Sequence, residues 1–489
     1  MAKSIMIQGT ASNAGKSVVV AGLCRIFSNM GLKVAPFKSQ NMALNLYITK
    51  EGHKMSRAQA VQAECARIEP HSDMNPILLK PNSDKSSQVI VNGKSIKTMD
   101  AKEYFEYKNS LKPVILKAYN NLAENNDIIV IEGAGSPAEI NLNQNDIVNM
   151  GLAKMIDSPV ILVADIDRGG VFASIYGTVK LLSEDDQKRI KGIIINKFRG
   201  DVKLLEPGIK MIEELVKIPV IGVIPYFEFN IDDEDSLSEK LNITASKKII
   251  DIAIIKLDKM SNFSDFSIFS MFDDVSLRYV EKAQQIGNPD LIIVPGTENL
   301  SDALLKNNQD LFLEIVNKNK NNCPVIGICE GMQIISHALT KNNNECNKTI
   351  NYLGLLDINM QICKEKIPVK TEGSFDGLTG FFSCINGEKY SGYKMDIKKI
   401  YGNNELKSIT VQTNKKGNVL GTCLYNFFEN DNVAYKIIQS LMNKKGINSN
   451  NNRTHEYKEF LNGEYEKIAE NLIKSIDMMG IYGIISRRG

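Results

Sequence analysis

The stretch Ser4-Ile-Met-Ile-Gln-Gly-Thr-Ala-Ser-Asn-Ala-Gly-Lys-Ser17 decides the fold of the first part of the chain. It predicts a buried strand, then a loop of small residues, then the first turn of a helix, which is the order of a phosphate-binding loop. In such a loop, backbone N–H groups and the helix N-terminus hold phosphate oxygens. Lys16 would neutralise phosphate charge, and the Ser17 hydroxyl would bind Mg²⁺. We therefore predict ATP binding, against the alternative of an ordinary strand-to-helix turn.

The loop departs from the usual pattern at its first glycine. Gly9 stands one residue too early, and Thr10 holds the usual position. We predict that Thr10, Asn13 and Gly15 line the nucleotide site together with the lysine and the serine. ATPases that dimerise around a related loop carry an extra lysine at the position that Ala11 occupies here, so that class is disfavoured.

Short apolar runs alternate with longer amphipathic stretches in two regions, which predicts an α/β protein with parallel sheets covered by helices. An acidic stretch separates the regions. We predict an ATP-binding domain over 1–226, a linker over 227–249, and a second α/β domain over 250–489 with a short helix at 331–340 and a C-terminal helical segment at 456–479. The predicted strands are 4–8, 33–36, 127–131, 159–164, 192–196, 219–223, 250–256, 290–294 and 324–328.

Composition excludes several classes of function. The 489 residues include 59 Lys and Arg against 57 Asp and Glu, so the net charge of +2 offers no general field for nucleic acid or an anionic membrane. No apolar run reaches the roughly 18 residues that a membrane span requires. The eight cysteines contain no Cys-x-x-Cys pair, which is typical of a reducing compartment. We expect a cytoplasmic protein with no nucleic-acid and no membrane partner.

Carboxylates follow two of the predicted strands. Glu132 ends the strand at 127–131, and Asp165 and Asp167 follow the next one. Because open α/β sheets bind ligands at the carboxyl ends of their strands, these side chains face the predicted phosphate site. We predict that Glu132 and Ser17 hold Mg²⁺, with helix capping as the alternative role for each carboxylate.

Seven motifs in the first 225 residues, the phosphate-binding loop among them, point to one family. They are Gln8-Gly-Thr-Ala-Ser-Asn-Ala-Gly-Lys-Ser17, Ala35-Pro-Phe-Lys-Ser-Gln-Asn-Met-Ala-Leu-Asn45, Arg57-Ala-Gln-Ala-Val-Gln-Ala-Glu64, Asp73-Met-Asn-Pro-Ile-Leu-Leu-Lys-Pro81, Glu132-Gly-Ala-Gly-Ser-Pro-Ala-Glu-Ile-Asn141, Ala164-Asp-Ile-Asp-Arg-Gly-Gly-Val-Phe-Ala-Ser174 and Ile195-Asn-Lys-Phe-Arg-Gly-Asp201. Together they closely resemble the adenosylcobyric acid synthase family, the glutamine-dependent amidating enzymes of cobalamin biosynthesis. The resemblance continues through Ser261-Asn-Phe-Ser-Asp265, Ser276-Leu-Arg-Tyr279 and Val294-Pro-Gly-Thr-Glu-Asn299.

The resemblance implies a dethiobiotin-synthetase-like ATP-binding domain followed by a class I glutamine amidotransferase domain. It implies that ATP activates the b, d, e and g side-chain carboxylates of adenosylcobyrinic acid a,c-diamide, and that nitrogen from glutamine or ammonia converts them to amides. Lys38 resembles the family's second lysine near the transferred phosphate, with a solvated lysine as the alternative. Asn196 resembles a residue that reads adenine, with a strand cap as the alternative.

In the second domain, the stretch Gly327-Ile-Cys-Glu-Gly331 follows an apolar strand and precedes a helix, which is typical of a nucleophile elbow. Cys329 is the predicted nucleophile for glutamine, against the alternative of a buried structural thiol. Pro295-Gly-Thr297 resembles the loop that shapes the oxyanion site in the family.

The same half departs from the family at three places. Tyr425 stands where the family has a histidine, Glu330 replaces a glycine of the elbow, and Gly392-Tyr-Lys-Met-Asp-Ile397 differs from the usual motif. Losing general-base help costs about 10²–10⁴ in rate. His337, about 12 Å along the predicted helix, and His455 are not expected to replace the base.

Our hypothesis is therefore a synthetase with a weakened or inactive glutaminase domain, for which free ammonia is the practical nitrogen donor. Two other functions remain open. One is the related cobyrinic acid a,c-diamide synthase, which acts earlier on the same macrocycle. The other is a nucleotide-binding regulatory protein that has kept the fold and lost the chemistry.

Overall fold

The chain divides into two compact units. The computed structural model describes residues 2–82, 85–231, 248–261, 263–297, 300, 304, 307–343, 346–351, 353–362, 368–395, 397–401, 405–408, 410–430, 432–447 and 457–486. The first unit contains Met1–Asp232 together with Lys458–Gly489, and the second contains Asp233–Tyr457.

The first unit is built on a parallel sheet of six strands, in the order β12-β11-β10-β1-β9-β2. Its strands are almost continuously apolar, as expected for a sheet buried on both faces. All six predicted strands of this unit are found. The strands of the unit are β1 (Lys3–Gly9), β2 (Val34–Phe37), β3 (Gln40–Met42), β4 (Leu46–Ile48), β5 (Lys54–Ser56), β6 (Ile77–Pro81), β7 (Ser86–Val91), β8 (Lys94–Asp100), β9 (Ile128–Glu132), β10 (Val160–Asp165), β11 (Ile190–Phe198) and β12 (Val220–Pro225).

Helices cover both faces of this sheet, and the short strands β3 to β8 form two small additional sheets beside it. The helices up to β12 are α1 (Lys16–Asn29), α2 (Arg57–Cys65), α3 (Ala101–Tyr107), α4 (Lys112–Asn125), α5 (Met150–Met155), α6 (Val171–Leu181), α7 (Glu184–Arg189) and α8 (Val202–Val216). Because β1, β2, β9, β10 and β11 are parallel neighbours, the loops that follow them meet at one edge.

The second unit has its own six-stranded sheet, in the order β15-β13-β16-β18-β27-β26, parallel except at β26. The three predicted strands of this unit are found as β13, β16 and β18. Its strands are β13 (Ile250–Ile255), β14 (Met260–Ser261), β15 (Val275–Val280), β16 (Leu291–Val294), β17 (Gly296–Thr297), β18 (Val325–Ile328), β19 (Ser336–Asn343), β20 (Cys346–Asn351), β21 (Leu356–Ile362), β22 (Pro368–Ser374), β23 (Lys389–Met395), β24 (Ile397–Tyr401), β25 (Glu405–Ser408), β26 (Val411–Thr413) and β27 (Val419–Thr422).

The helix predicted at 331–340 is shorter than expected. The helices of the second unit are α9 (Ala283–Ile286), α10 (Gln309–Lys320), α11 (Glu330–Ile335) and α12 (Val433–Lys444). Helix α11 ends at Ile335 because Ser336 adopts an extended conformation, and the chain continues as β19. The Ser336 hydroxyl donates to the carbonyl oxygen of Gln333 over 2.6 Å, which satisfies one of the last helix carbonyls.

The predicted C-terminal helical segment is present as α13 (Tyr457–Ser475) and α14 (Met478–Ser486), but its assignment to the second domain is wrong. Both helices pack on the first unit. A Cβ on Gly22 of α1 would lie only 2.5 Å from Leu472 Cδ2, so the two helices approach closely at this glycine. The amide N–H of Asp477 also donates to the Ile221 carbonyl oxygen over 2.7 Å.

A polar network joins α13 to α2. Glu64 at the end of α2 accepts from Arg57 Nη1 over 2.7 Å and from the Tyr465 hydroxyl over 2.5 Å. Burial raises the pKa of Tyr465, and the Glu64 carboxylate raises it further, so the phenol keeps the proton that it donates. The buried Arg25 guanidinium donates to Asn462 Oδ1 over 3.0 Å. The last helices of the chain therefore belong structurally to the ATP-binding half.

No helix among the described residues is long and apolar enough to cross a membrane.

Replacing Tyr465 with phenylalanine tests the link between α13 and α2. The substitution removes a hydrogen bond to a charged acceptor, a loss of about 1.5–3 kcal/mol. We expect amide hydrogen exchange across Arg57–Cys65 to accelerate roughly tenfold or more, measured by mass spectrometry. The matched control is Tyr482→Phe on α14, whose hydroxyl contacts Met30 Sδ and not α2. Equal protection of α2 in the two variants would show that the Tyr465 hydroxyl does not hold this helix.

Candidate functional site

The predicted phosphate-binding loop connects β1 to α1 and has the backbone that such a loop needs. Gly15 has φ +98°, and a Cβ at this position would lie 2.0 Å from Asn196 Nδ2. Only glycine fits both the conformation and the space. Asn13 is also left-handed, with φ 60°, which asparagine tolerates. Thr10 joins the loop to the sheet, because its N–H donates to the Val163 carbonyl oxygen over 2.9 Å.

The Lys16 ammonium lies inside this loop. Lys16 Nζ donates to the carbonyl oxygens of Ala11, over 3.1 Å, and Gly135, over 2.9 Å. A Cβ on Gly9 would lie 3.0 Å from Lys16 Nζ. The glycine that stands one residue early therefore leaves room for the lysine side chain, which explains why the unusual spacing is compatible with the motif.

Glu132 is the centre of the site. Its side chain is only 1% exposed, and Oε1 accepts from Ser17 Oγ and from Lys38 Nζ, each over 2.9 Å. A buried carboxylate is costly unless it is paired and hydrogen-bonded, and the lysine supplies the compensating charge. The structure thus brings together three predicted residues from β9, α1 and the end of β2.

Two glutamines that we had not singled out complete the site. The other oxygen of Glu132, Oε2, accepts from Gln59 Nε2, over 3.3 Å, and from Gln62 Nε2. Gln59 Oε1 in turn accepts from Asn41 Nδ2 over 2.9 Å. The sequence contained a signal for this pair, because polar residues three apart lie on one face of a helix, and here they are fully buried among alanines of α2.

Asn196 and its neighbour support the loop from β11. Asn196 Nδ2 donates to the Ala14 carbonyl oxygen over 2.9 Å. Lys197 Nζ donates to the Asn13 carbonyl oxygen, over 2.9 Å, and to Asp165 Oδ2, over 2.7 Å. Asp165 is therefore committed to an ion pair beside the loop. The adenine-reading role of Asn196 stays a prediction.

The oxygens of Ser17 and Glu132 fit a small hard cation, since they lie 2.9 Å apart and both are hard ligands. Beside them, Gln62 Oε1 is a buried amide oxygen for which the described residues supply no hydrogen-bond donor. The described part of the chain contains no group of three or more His, Cys, Asp or Glu that could hold a metal ion. A cation here would complete its shell with water and phosphate oxygens, as Mg²⁺ commonly does.

The predicted elbow in the second unit is present at the end of β18. Cys329 is 1% exposed and has φ 52° and ψ −113°, a strained backbone for a residue other than glycine. Its N–H donates to the Thr422 carbonyl oxygen over 2.8 Å. A Cβ on Gly331 would lie 1.9 Å from the Val294 carbonyl oxygen, so only glycine lets α11 approach β16 this closely. Together these features are typical of a nucleophile elbow.

Tyr425 lies two residues after Cys423, in the segment that passes the Cys329 thiol. Cys329 Sγ lies 3.9 Å from the Cys423 carbonyl oxygen, and the Tyr425 N–H donates to the Tyr393 carbonyl oxygen over 3.0 Å. His337, which we expected on the helix after Cys329, lies instead in β19 and is exposed. His455 and Asp396 lie outside the described residues.

Two family models match the chain. Residues 5–235 match the CobQ/CobB/MinD/ParA nucleotide binding domain, and residues 251–433 match the CobB/CobQ-like glutamine amidotransferase domain. The fold and the sites therefore define a P-loop nucleotide-binding domain joined to a glutamine-amidotransferase-like domain, which confirms the predicted fold class.

Curated relatives identify the family within this class. A cobyric acid synthase of Ruminiclostridium cellulolyticum is 46% identical over 99% of this chain and 97% of its own length. Those of Listeria monocytogenes and Streptococcus sanguinis are 48% and 45% identical, over 98% and 100% of this chain and 96% and 99% of their own lengths. The chain belongs to the cobyric acid synthase family, as the sequence motifs predicted.

Substituting Gly15 with alanine tests the phosphate-binding loop. The added methyl group would push Asn196 away from the Ala14 carbonyl oxygen and distort the N–H groups of the loop. We expect ATP affinity to fall roughly tenfold or more, equivalent to about 1.4 kcal/mol, in calorimetric titration. Gly31→Ala is the matched control, because Gly31 is also left-handed but has open space around its Cβ position. An equal loss in both variants would assign the effect to backbone strain alone.

Proposed function

We propose that this chain is an ATP-dependent carbon–nitrogen ligase that converts adenosylcobyrinic acid a,c-diamide into adenosylcobyric acid. It amidates the b, d, e and g side-chain carboxylates. Family membership supports the substrate and the reaction. The observation that carries the proposal is the buried ion pair of Lys38 and Glu132, which lies beside a phosphate-binding loop at the carboxyl edge of the sheet.

The chemistry requires activation of a carboxylate. Ammonia does not displace oxygen from a carboxylate at neutral pH, because the leaving group would be too basic. A carboxylate oxygen of the substrate therefore attacks the γ-phosphorus of ATP, the bond to ADP breaks, and an acyl phosphate forms. Ammonia nitrogen then bonds to the acyl carbon, phosphate leaves with the former carboxylate oxygen, and nitrogen loses a proton. Each amide thus consumes one ATP.

The chain's own residues stabilise the charge that moves in this reaction. The Lys16 ammonium is hydrogen-bonded to two loop carbonyls and can exchange them for phosphate oxygens. Lys38, which Glu132 holds in place, presents a second positive charge at the same edge. Fixed cations aimed at a transferring phosphoryl group are the main source of catalysis in such reactions.

Mg²⁺ fits this site through Ser17 and Glu132, and when bound it supplies positive charge to the phosphate oxygens. Gln59 and Gln62 orient the Glu132 carboxylate from the opposite side. Their amide N–H groups donate to Oε2, and these hydrogen bonds do not depend on what Oε1 binds. They would keep the carboxylate in position if Oε1 gave up its hydrogen bond from Ser17 to bind the cation.

The direct test is amidation of adenosylcobyrinic acid a,c-diamide by the full chain with MgATP and ammonium chloride, followed by mass spectrometry. We expect four successive amidations that require both ATP and the corrinoid. Turnover of unamidated cobyrinic acid in place of this substrate would favour the related a,c-diamide synthase. Absence of product with either corrinoid would reject the proposed function.

Lys38→Gln tests the second cation. Glutamine retains an N–H donor for Glu132 but removes the charge, so folding is less affected than by an apolar substitution. We expect kcat for ammonium-dependent amidation to fall about 10²-fold or more at saturating ATP. The matched control is Lys50→Gln, because Lys50 forms an exposed ion pair with Glu69. If the two variants retain the same kcat, Lys38 has no role in phosphoryl transfer.

A further inference from the structure

Glu330, the residue after the elbow cysteine, has a buried carboxylate in the second unit. Glu330 is the first residue of α11, and it is only 2% exposed. A carboxylate beside a nucleophilic thiol is a consequential feature, because glutamine hydrolysis by a thiol develops negative charge in the same place.

The position of the Glu330 carboxylate follows from the surroundings of Gly296. A Cβ on Gly296 would lie 2.9 Å from Glu330 Oε2, 2.7 Å from Ser261 Oγ and 3.5 Å from Cys329 Cβ. Gly296 is held there because β17 pairs with β14, with Ser261 opposite Gly296. Glu330 Oε2 and the Cys329 side chain therefore both lie next to Gly296, in the loop that resembles the family's oxyanion loop.

This location conflicts with glutamine hydrolysis for two reasons. The tetrahedral intermediate formed on a thiol carries an oxyanion, which needs N–H donors next to the nucleophile. A carboxylate in that space removes volume that the amide of glutamine would occupy. It also repels the developing negative charge, and burial reduces the screening of that repulsion.

The described chain segment that passes the thiol, residues 422–430, also carries no imidazole. The loop that carries Tyr425 is fixed on both sides, because the N–H of Asn426 donates to Asp265 Oδ2 over 3.1 Å and Asn426 is left-handed, with φ 54°. A phenol does not replace the imidazole of histidine as a general base near neutral pH. Among the described residues of this unit the one imidazole is that of His337, exposed in β19.

We propose that Glu330 closes the Cys329 pocket to glutamine and that the chain takes its nitrogen as free ammonia. The first part stands on the pocket alone, and the second part rests on the proposed function. Removing the carboxylate at position 330 should therefore open the pocket. Hydrolysis of glutamine should require, in addition, a histidine at position 425 as the general base.

The experiment measures covalent labelling of Cys329 in the full chain. The probe is a diazoketone analogue of glutamine: the thiol sulfur bonds to the diazo carbon, dinitrogen leaves, and the thiol proton ends on that carbon. The label is located by peptide mass spectrometry, and Cys329→Ser is the negative control. Glutamine hydrolysis to glutamate and ammonium-dependent amidation are followed in the same samples.

We expect wild-type Cys329 to label roughly tenfold or more slowly than Cys329 in the Glu330→Gly/Tyr425→His double variant. Glutamine hydrolysis should rise from background only in the double variant, in line with the about 10²–10⁴ that a general base contributes. Glu330→Gln keeps the shape and removes the charge, so it remains informative if the glycine variant fails to fold. Glu314→Gln on α10 is its matched control.

Two results would overturn the proposal. One is wild-type labelling at the rate of the double variant, or wild-type hydrolysis of glutamine. The other is a folded double variant, and a folded Glu330→Gln variant, that label no faster than wild type. Failure of ammonium-dependent amidation in every sample would instead reject the proposed function, while the labelling rates would still decide whether Glu330 closes the pocket.

Discussion

The ATP-binding half of this protein depends on one buried carboxylate. Glu132 ends strand β9 with its side chain removed from water, a position that is tolerable only because donors surround it. The donors come from the start of α1, the end of β2 and one face of α2. Moving any of these elements would take at least one donor from a buried charge, so the carboxylate favours the geometry in which all of them meet.

Helix α13, near the end of the chain, supports the helix that holds Glu132. Helix α2 presents its glutamines to Glu132 on the inside, while its end is bound through Glu64 to Tyr465 of α13. The chain leaves the first unit after β12, forms the second unit, and returns to complete the first. The support of the ATP site is therefore assembled from both ends of the sequence.

The sequence predicts all six strands of the first sheet but only β13, β16 and β18 of the second, and it misses β15, β26 and β27. The predicted strands are short apolar runs, and the polar residues that follow them are the candidate site residues. Gln59 and Gln62 escaped prediction because nothing in a short Ala- and Gln-rich segment shows which neighbour it faces. The packing of α13 and α14 on the first unit was also not predicted. An amphipathic pattern shows that one side of a helix is buried, but it does not show which unit covers that side. The predicted helix runs past Ile335 because Ala338 and Leu339 continue its apolar spacing, and a pattern this short fits a helix or a strand.

Each unit buries one glutamate beside its candidate site. In the first unit, cations and amide donors surround Glu132, so its negative charge organises positive charge at the point where phosphate must bind. In the second unit, Glu330 Oε2 lies next to Gly296 and the elbow cysteine, and we propose that negative charge would have to develop there if Cys329 attacked an amide. In our proposals, one carboxylate prepares its unit for catalysis and the other opposes it. The strained backbone of Cys329 still has the geometry that is typical of a nucleophile elbow, because that geometry depends on the strand and the helix on either side and not on the neighbouring charges.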